Sequence, residues 1–241
     1  MLIQSEAIVL SSLKYADNDL IVRLFLKDYG LQSFMVKGAR KSSKSKWKSA
    51  YFLPLNQLII STNLTQSDRL NYLKSLDLNS PSYLLHQDVR KSLIAHFMAE
   101  VFFGTAAAYQ EDAAFYEAIK SFIKRLIKAE SYHLFLQKSL LEFSEVLGFY
   151  PNFQKNDPSF FNLREGIFEP IFVDNTFQLN LHYSNQLKAL HGTVFDKLST
   201  ISMPADERLQ VLKFLIDYYK IQLEHFKTPK CLDILIQTFY E

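Results

Sequence analysis

The chain has 241 residues, 48% of them hydrophobic and 21 of them Phe, and its 27 Lys/Arg against 25 Asp/Glu leave a formal net charge of only +2. That composition excludes a disordered chain and gives enough apolar material for a sizeable core in one or two domains. A single cysteine, Cys231, excludes an internal disulfide and a cysteine zinc cage, and no apolar run approaches the ~18–20 residues of a membrane span. The first residues, Met1 to Glu6, lack the basic-then-apolar pattern of a secretory leader, so the expectation is a soluble cytoplasmic protein.

In chain order, Ile3–Leu13 is an apolar run with β-branched Ile8 and Val9, ended by the polar cluster Lys14 to Asp19. Leu20–Leu26 follows, and Asp28-Tyr29-Gly30 predicts a hairpin turn in which Gly30 takes positive φ. Leu31–Lys37 alternates, with Phe34 and Val36 on one face and Ser33, Met35 and Lys37 on the other. Leu53–Ser61 and Leu70–Leu78 complete five strand candidates, the last alternating through Tyr72, Lys74, Leu76 and Leu78. Five short strands within residues 1–79 predict a small closed or nearly closed barrel, for which a five-stranded OB-fold and an SH3-like barrel fit the count equally.

Asn79-Ser80-Pro81-Ser82 breaks the pattern and marks the predicted domain boundary; over residues 80–241 the period becomes helical. Helices are expected at Leu84–Tyr109, Asp112–Ala129, Tyr132–Leu147 (stopped by Gly148 and Pro151), Tyr183–Leu198, Ala205–Phe226 with Ser202 or Asp206 as cap, and Cys231–Tyr240. Residues 149–182, punctuated by Pro151, Pro158, Gly166 and Pro170, read as an irregular or hairpin insertion. The expected class is therefore α+β: a barrel at 1–79, then an all-α domain at 80–241 with that interruption.

Little here points to catalysis. There is no G-x-x-x-x-G-K-[ST], no G-x-G-x-x-G and no G-x-S-x-G, and six glycines are few for a phosphate-cradling loop. Cys231, with no nearby His, reads as a small buried hydrophobe. The six histidines are scattered, and the one Glu-x-x-His, Glu130 with His133, falls short of the paired set a di-iron bundle needs. Asp17, Asp19 and Asp28 read as turn formers and caps. No catalytic residue, metal or cofactor is expected.

Binding is better represented. Residues 1–79 carry eleven Lys/Arg against six Asp/Glu, and residues 80–241 carry sixteen against nineteen. Within the first third, Lys37, Arg40, Lys41, Lys44, Lys46 and Lys48 form a run without an acidic residue, between the third and fourth strand candidates. Lys14 follows the first strand, and Arg23 and Lys74 lie on strands. Trp47, flanked by Lys46 and Lys48, is expected to face a ligand; Tyr15 and Tyr51 are further stacking candidates, while Phe52 is assigned to the barrel core. Cations along phosphates and rings against bases are what a single strand requires. In the helical part, Lys120, Lys124 and Lys128 recur every fourth residue as a basic stripe, joined by Arg125.

Ala7-Ile8-Val9-Leu10, Asp17-Asn18-Asp19-Leu20-Ile21-Val22, Val36-Lys37-Gly38-Ala39-Arg40-Lys41, Phe143 to Pro151 and the Tyr218-Tyr219 to Asp233 segment follow one another at spacings that resemble the RecO family of bacterial recombination mediators across essentially the whole chain. The resemblance implies an N-terminal OB-fold and a helical domain, and a non-catalytic role in recombinational DNA repair. It implies binding of single- and double-stranded DNA, strand annealing, and recombinase loading with the partner RecR on strands covered by single-stranded-DNA-binding protein. It also implies capture of that protein's acidic, Phe-ended C-terminal tail, for which Lys120, Lys124, Arg125 and Lys128 are the candidates. One departure stands out. Many relatives carry a four-cysteine zinc module after the segment matching Gly148 to Pro151, and Asn152 to Asn180 has no cysteine, so zinc is not expected and the Phe-rich hairpin is expected to hold by apolar packing. Two rivals remain on the residues alone: a helical adaptor whose barrel contacts an acidic protein, and an OB module for RNA.

Overall fold

Alternation of apolar and polar residues closes five strands into a barrel in the computed structural model, which describes residues 2–40, 47–65, 70–109, 112–153, 159–174 and 176–240. The strands are β1 (Leu2–Tyr15), β2 (Asp19–Leu26), β3 (Gly30–Val36), β4 (Gln57–Asn63) and β5 (Asn71–Leu78). Their order is β1-β2-β3-β5-β4, with β4 returning to β1, the arrangement of a five-stranded OB-fold. The 14-residue β1 serves two neighbours: Leu2 to Ile8 pair with β4 and Ala7 to Tyr15 with β2, with a bulge between Val9 and Ser11 where the strand bends. Gly30 takes the expected positive φ (60°) at the β2–β3 turn. Closure rests on the parallel β3–β5 seam, which has two register pairs, Phe34 with Asn71 and Met35 with Tyr72.

Ala7, Val9, Leu20, Val22, Leu24, Phe34, Val36, Leu58 and Ile60 fill the barrel, with Phe52 buried among them as expected. Two departures from simple alternation reshape the walls. A bulge on β5 places Thr62 opposite Leu73 after Ser61 opposite Ser75, so Leu73 and Leu76 pack toward the core while Tyr72 and Lys74 are exposed. The expected single phase through Tyr72, Lys74, Leu76 and Leu78 is therefore broken at the bulge. The fourth strand begins at Gln57, not Leu53. Ser49–Phe52 forms a 3-10 turn, Leu55 is buried in the left-handed region (φ 64°), and its N–H donates to the Val9 carbonyl at 2.7 Å. Asn56 holds this detour by donating from Nδ2 to the Ala50 and Tyr51 carbonyls.

The chain divides into two units, residues 1–128 with 229–231 and residues 129–228 with 232–241. The first thus continues past the barrel through α1 (Val89–Thr105) and α2 (Ala113–Lys128). The long helix expected from Leu84 is divided, because Asp88 is extended and caps α1 by accepting from the Arg90 and Lys91 N–H groups, leaving Pro81–Gln87 as a separate 3-10 segment. Ile8 and Phe25, opposite each other on the outer wall of β1 and β2, are fully buried, and the Phe25 ring lies 5.0 Å from Phe115 of α2. This part of the barrel's outer wall is in this way an apolar helix-packing surface.

The second unit contains α3 (Phe135–Val146), a hairpin of β6 (Phe160–Asn162) and β7 (Ile167–Glu169), α4 (Leu181–Gly192), α5 (Ala205–Gln222) and α6 (Leu232–Phe239). Leu134 in the left-handed region delays the start of α3, and Thr193 is extended, so α4 stops short of the expected Leu198. Neither Ser202 nor Asp206 caps α5: Pro204 occupies the cap position without a side-chain bond, while Asp206 and Glu207 favour the first turn through the helix dipole. The insertion is held by rings, with Phe161 5.0 Å from Phe168 and 5.4 Å from Tyr218 of α5. Lys138 of α3 is 4% exposed, and its Nζ donates to the last carbonyls of α4, those of Leu190 and His191, and lies 3.5 Å from Glu142. Lys138→Met would leave those carbonyls without their cap and is expected to cost about 1–3 kcal/mol in urea unfolding followed by far-UV circular dichroism. An unchanged midpoint would contradict that role.

Candidate nucleic-acid interface

The β1–β2 turn and the first residues of the basic loop are stapled together. Gly38, at φ 68°, donates its N–H to Asp19 Oδ1 at 2.8 Å; a side chain there would strain the backbone. The Arg40 N–H donates to the Asn18 carbonyl at 3.0 Å and its guanidinium donates through Nη1 to the Asp17 carbonyl at 3.1 Å. Asp19 is therefore a loop cap, as its position suggested, and the Asp17–Asp19 turn and the Gly38–Arg40 segment are the two halves of one joint. The joint gathers Lys14, Lys37 and Arg40, all exposed, at one end of the barrel. Arg40 spends one donor on Asp17 and has others on its fork for a phosphate oxygen.

The far end of the loop is anchored differently. Trp47 is half-buried and packs, together with Tyr51, against the barrel core, while Lys48 beside it is exposed. Part of the Trp47 ring is thus committed to holding the loop down. Lys41, Lys44 and Lys46 lie outside the described residues. Arg23 stacks over Phe103 of α1, 4.6 Å from the ring centroid, and Lys74 donates to Asn63 Oδ1 at 3.0 Å. Tyr15 is exposed at the end of β1.

On α2 the basic stripe is uneven. Lys120 Nζ lies 3.1 Å from Glu6 Oε2 on β1, and the buried Tyr116 hydroxyl donates to the same oxygen at 3.2 Å. Lys124, Arg125 and Lys128 are exposed on the side away from buried Phe115, Ile119, Phe122, Ile123 and Leu126. Arg125 and Lys128 also fall in the last turn, where cations favour the helix dipole.

Burial and the neighbouring Glu100 push the Cys231 thiol up to about 12, which keeps it protonated and unreactive. The His133 ring bonds the Ile201 carbonyl at 2.9 Å, and no group of three or more His, Cys, Asp or Glu is placed to hold a metal ion among the described residues. No helix among them is long and apolar enough to cross a membrane.

Residues 1–81 match the family described as Recombination protein O N terminal, and residues 86–230 match Recombination protein O C terminal. Among curated relatives, proteins named DNA repair protein RecO are similar over 99% of this chain and 100% of their own length. The identities are 34% for Flavobacterium psychrophilum, 35% for Flavobacterium johnsoniae and 32% for Christiangramia forsetii.

The Lys120 hydrogen bond, the largest cause, and the Lys120 charge hold the Glu6 carboxyl below its ordinary value of about 4.5 against the opposing effect of burial. A depressed folded pKa means stability that is present above the unfolded value and lost as the pH falls through the folded one. Glu6→Gln is expected to be less stable than the parent near neutral pH by less than about 1 kcal/mol, because the pair is partly solvated. Urea unfolding across pH should show that difference shrinking as the pH falls below about 4.5; a difference that grows with acidification would contradict it.

Proposed function

The chain belongs to the recombination protein O family, whose curated relatives are DNA repair proteins, and from that premise we propose that it is a non-catalytic mediator that binds DNA at the barrel end carrying Lys14, Lys37 and Arg40. The observation that supports this is the Asp19–Gly38 joint, beside which Lys14, Lys37 and Arg40 are all exposed. Lys41, Lys44, Lys46 and Lys48 extend the positive edge in sequence, and Trp47 anchors its far end. Such an edge binds phosphates irrespective of base sequence. On two strands at once it would offset their repulsion while base pairing supplies the favourable free energy, which is annealing without a chemical step. The protein would act in the cytoplasm, on the nucleoid, helping to load recombinase together with RecR.

Reversing Arg40, Lys41, Lys44 and Lys46 to Glu is expected to abolish oligonucleotide binding and annealing at moderate salt. In the parent, log affinity for a single strand should fall with log salt by roughly 0.7 per phosphate contact. Binding that survives the reversal with an unaltered slope would overturn the assignment of this loop.

The tail of single-stranded-DNA-binding protein is proposed to dock on the exposed face of α2. Lys120 is engaged by Glu6, and the exposed Lys124 and Lys128, with Arg125 beside them on the helix, carry that proposal. Lys124→Ala with Lys128→Ala should weaken capture of an acidic, Phe-ended peptide in calorimetry and leave oligonucleotide affinity unchanged; equal peptide affinity would reject the site.

A further inference from the structure

The outer wall of the barrel is not uniform. Toward one end it is covered: Ile8 and Phe25 are buried beneath helix. Next along the strands comes a polar row, Ser11, Arg23 and Ser33, which are direct neighbours in register. Beyond it, Leu13 of β1 faces Ile21 of β2, Ile21 faces Met35 of β3, and Met35 faces Tyr72 of β5. Residues directly opposite share a face, and because Leu20, Val22, Phe34 and Val36 point into the core, this row of four points outward. Its ends are open, Leu13 at 49% and Tyr72 at 55% exposure, and its middle is half-buried.

Three interstrand steps make the row about 14 Å long, the width on which a four-stranded sheet stacks two or three bases. Its chemistry is one-sided. Lys37 Nζ sits 5.5 Å from the Tyr72 ring centroid, Lys74 is exposed further along β5, and Arg23 lies on the opposite flank. At the turn, the Asp19 carboxylate accepts the Gly38 N–H. The backbone at Tyr72 is also held by neighbouring side chains. Its carbonyl accepts from Thr62 Oγ1 at 2.9 Å, and its neighbour Asn71, 3% exposed, accepts through Oδ1 from the Thr65 N–H and hydroxyl, both at 3.0 Å.

We infer that the row Leu13–Ile21–Met35–Tyr72 is a stacking platform for the bases of an unpaired DNA strand, with Tyr72 as its principal ring and Lys37 placed for the adjoining phosphate. This rests on the nucleic-acid assignment above and adds a preference that a basic loop alone does not confer. Phosphates are common to every strand, whereas flat base faces are offered only by an unpaired one. An apolar strip flanked by cations on both sides fits a ligand that carries flat apolar groups and regularly spaced anions along one chain. Tyr72 touches bases, so it discriminates; the loop cations touch phosphate, so they do not.

The test compares the affinities of the full chain for three probes of equal length: an oligothymidylate, an abasic strand and a duplex. Tyr72→Ala is expected to lose roughly five- to a hundredfold on the oligothymidylate. Its affinity for the abasic strand and the duplex should be unchanged, with the same salt slope. Tyr72→Phe should retain the parent's affinity, and Leu13→Ser should lose in the same direction but less. Both parent side chains are about half exposed, so the variants are expected to keep the parent's melting temperature. Oligothymidylate binding by Tyr72→Ala equal to the parent's, or a parent that binds oligothymidylate and abasic strand alike, would overturn the platform and leave the loop assignment standing. A parent that binds none of the three probes would overturn both.

Discussion

The short seam between β3 and β5 is the constraint on which the rest of the first unit depends. Two register pairs close a barrel whose other junctions are long antiparallel ladders. An unclosed edge would expose unpaired backbone groups and invite pairing with another chain. Side chains therefore reinforce the seam: Asn71 reaches the Ser33 carbonyl across it at 3.5 Å and Thr62 holds the Tyr72 carbonyl from β4. Closure brings Lys37, at the end of β3, over the ring of Tyr72 on β5. It also fixes where the basic loop leaves the barrel.

From the seam, placement passes to the β1–β2 turn. Gly38 lies two residues past the end of β3, and its bond to Asp19, together with the two bonds from Arg40, ties the start of the loop to a turn about twenty residues earlier. Neither segment is positioned alone. Another part of the outer wall is spent on packing, where Phe25 meets Phe115 and where Glu6 takes both Lys120 and Tyr116. Part of a small barrel thus carries a helical layer, while Leu13 and Tyr72 elsewhere on its outer wall stay exposed. Exposed apolar residues there are then expected of a binding face.

How much of this was legible in the sequence depends on the kind of information each feature uses. Alternation and the Asp28-Tyr29-Gly30 turn located the strands, because their period and turn chemistry are local. Asp19 read as a cap, although its partner, Gly38, is nineteen residues away. The β5 bulge was not legible: an extra residue leaves composition unchanged and only shifts phase, so Tyr72 and Leu76, placed on one face by counting, lie on opposite ones. Leu55 was assigned to a strand because it is apolar, yet its left-handed backbone is imposed by hydrogen bonds to Val9 and by Asn56. Lys120 belonged by spacing to a free stripe, and its engagement with Glu6 is a tertiary contact that no local pattern records. The cations were legible as a run; the row of Leu13, Ile21, Met35 and Tyr72 was not, because it crosses four strands and exists only in register.

The central claim is that the closed barrel presents one nucleic-acid edge, assembled from the β1–β2 turn, the start of the basic loop and the β5 side of the seam. Hydrogen exchange of the full chain, with and without a single-stranded oligonucleotide, measures it most directly. Slowed exchange is predicted around Lys14 to Asp19, at Lys37 to Arg40 and around Tyr72, with the second unit unchanged. Protection confined to the helices of the second unit, with none at those three segments, would contradict the account.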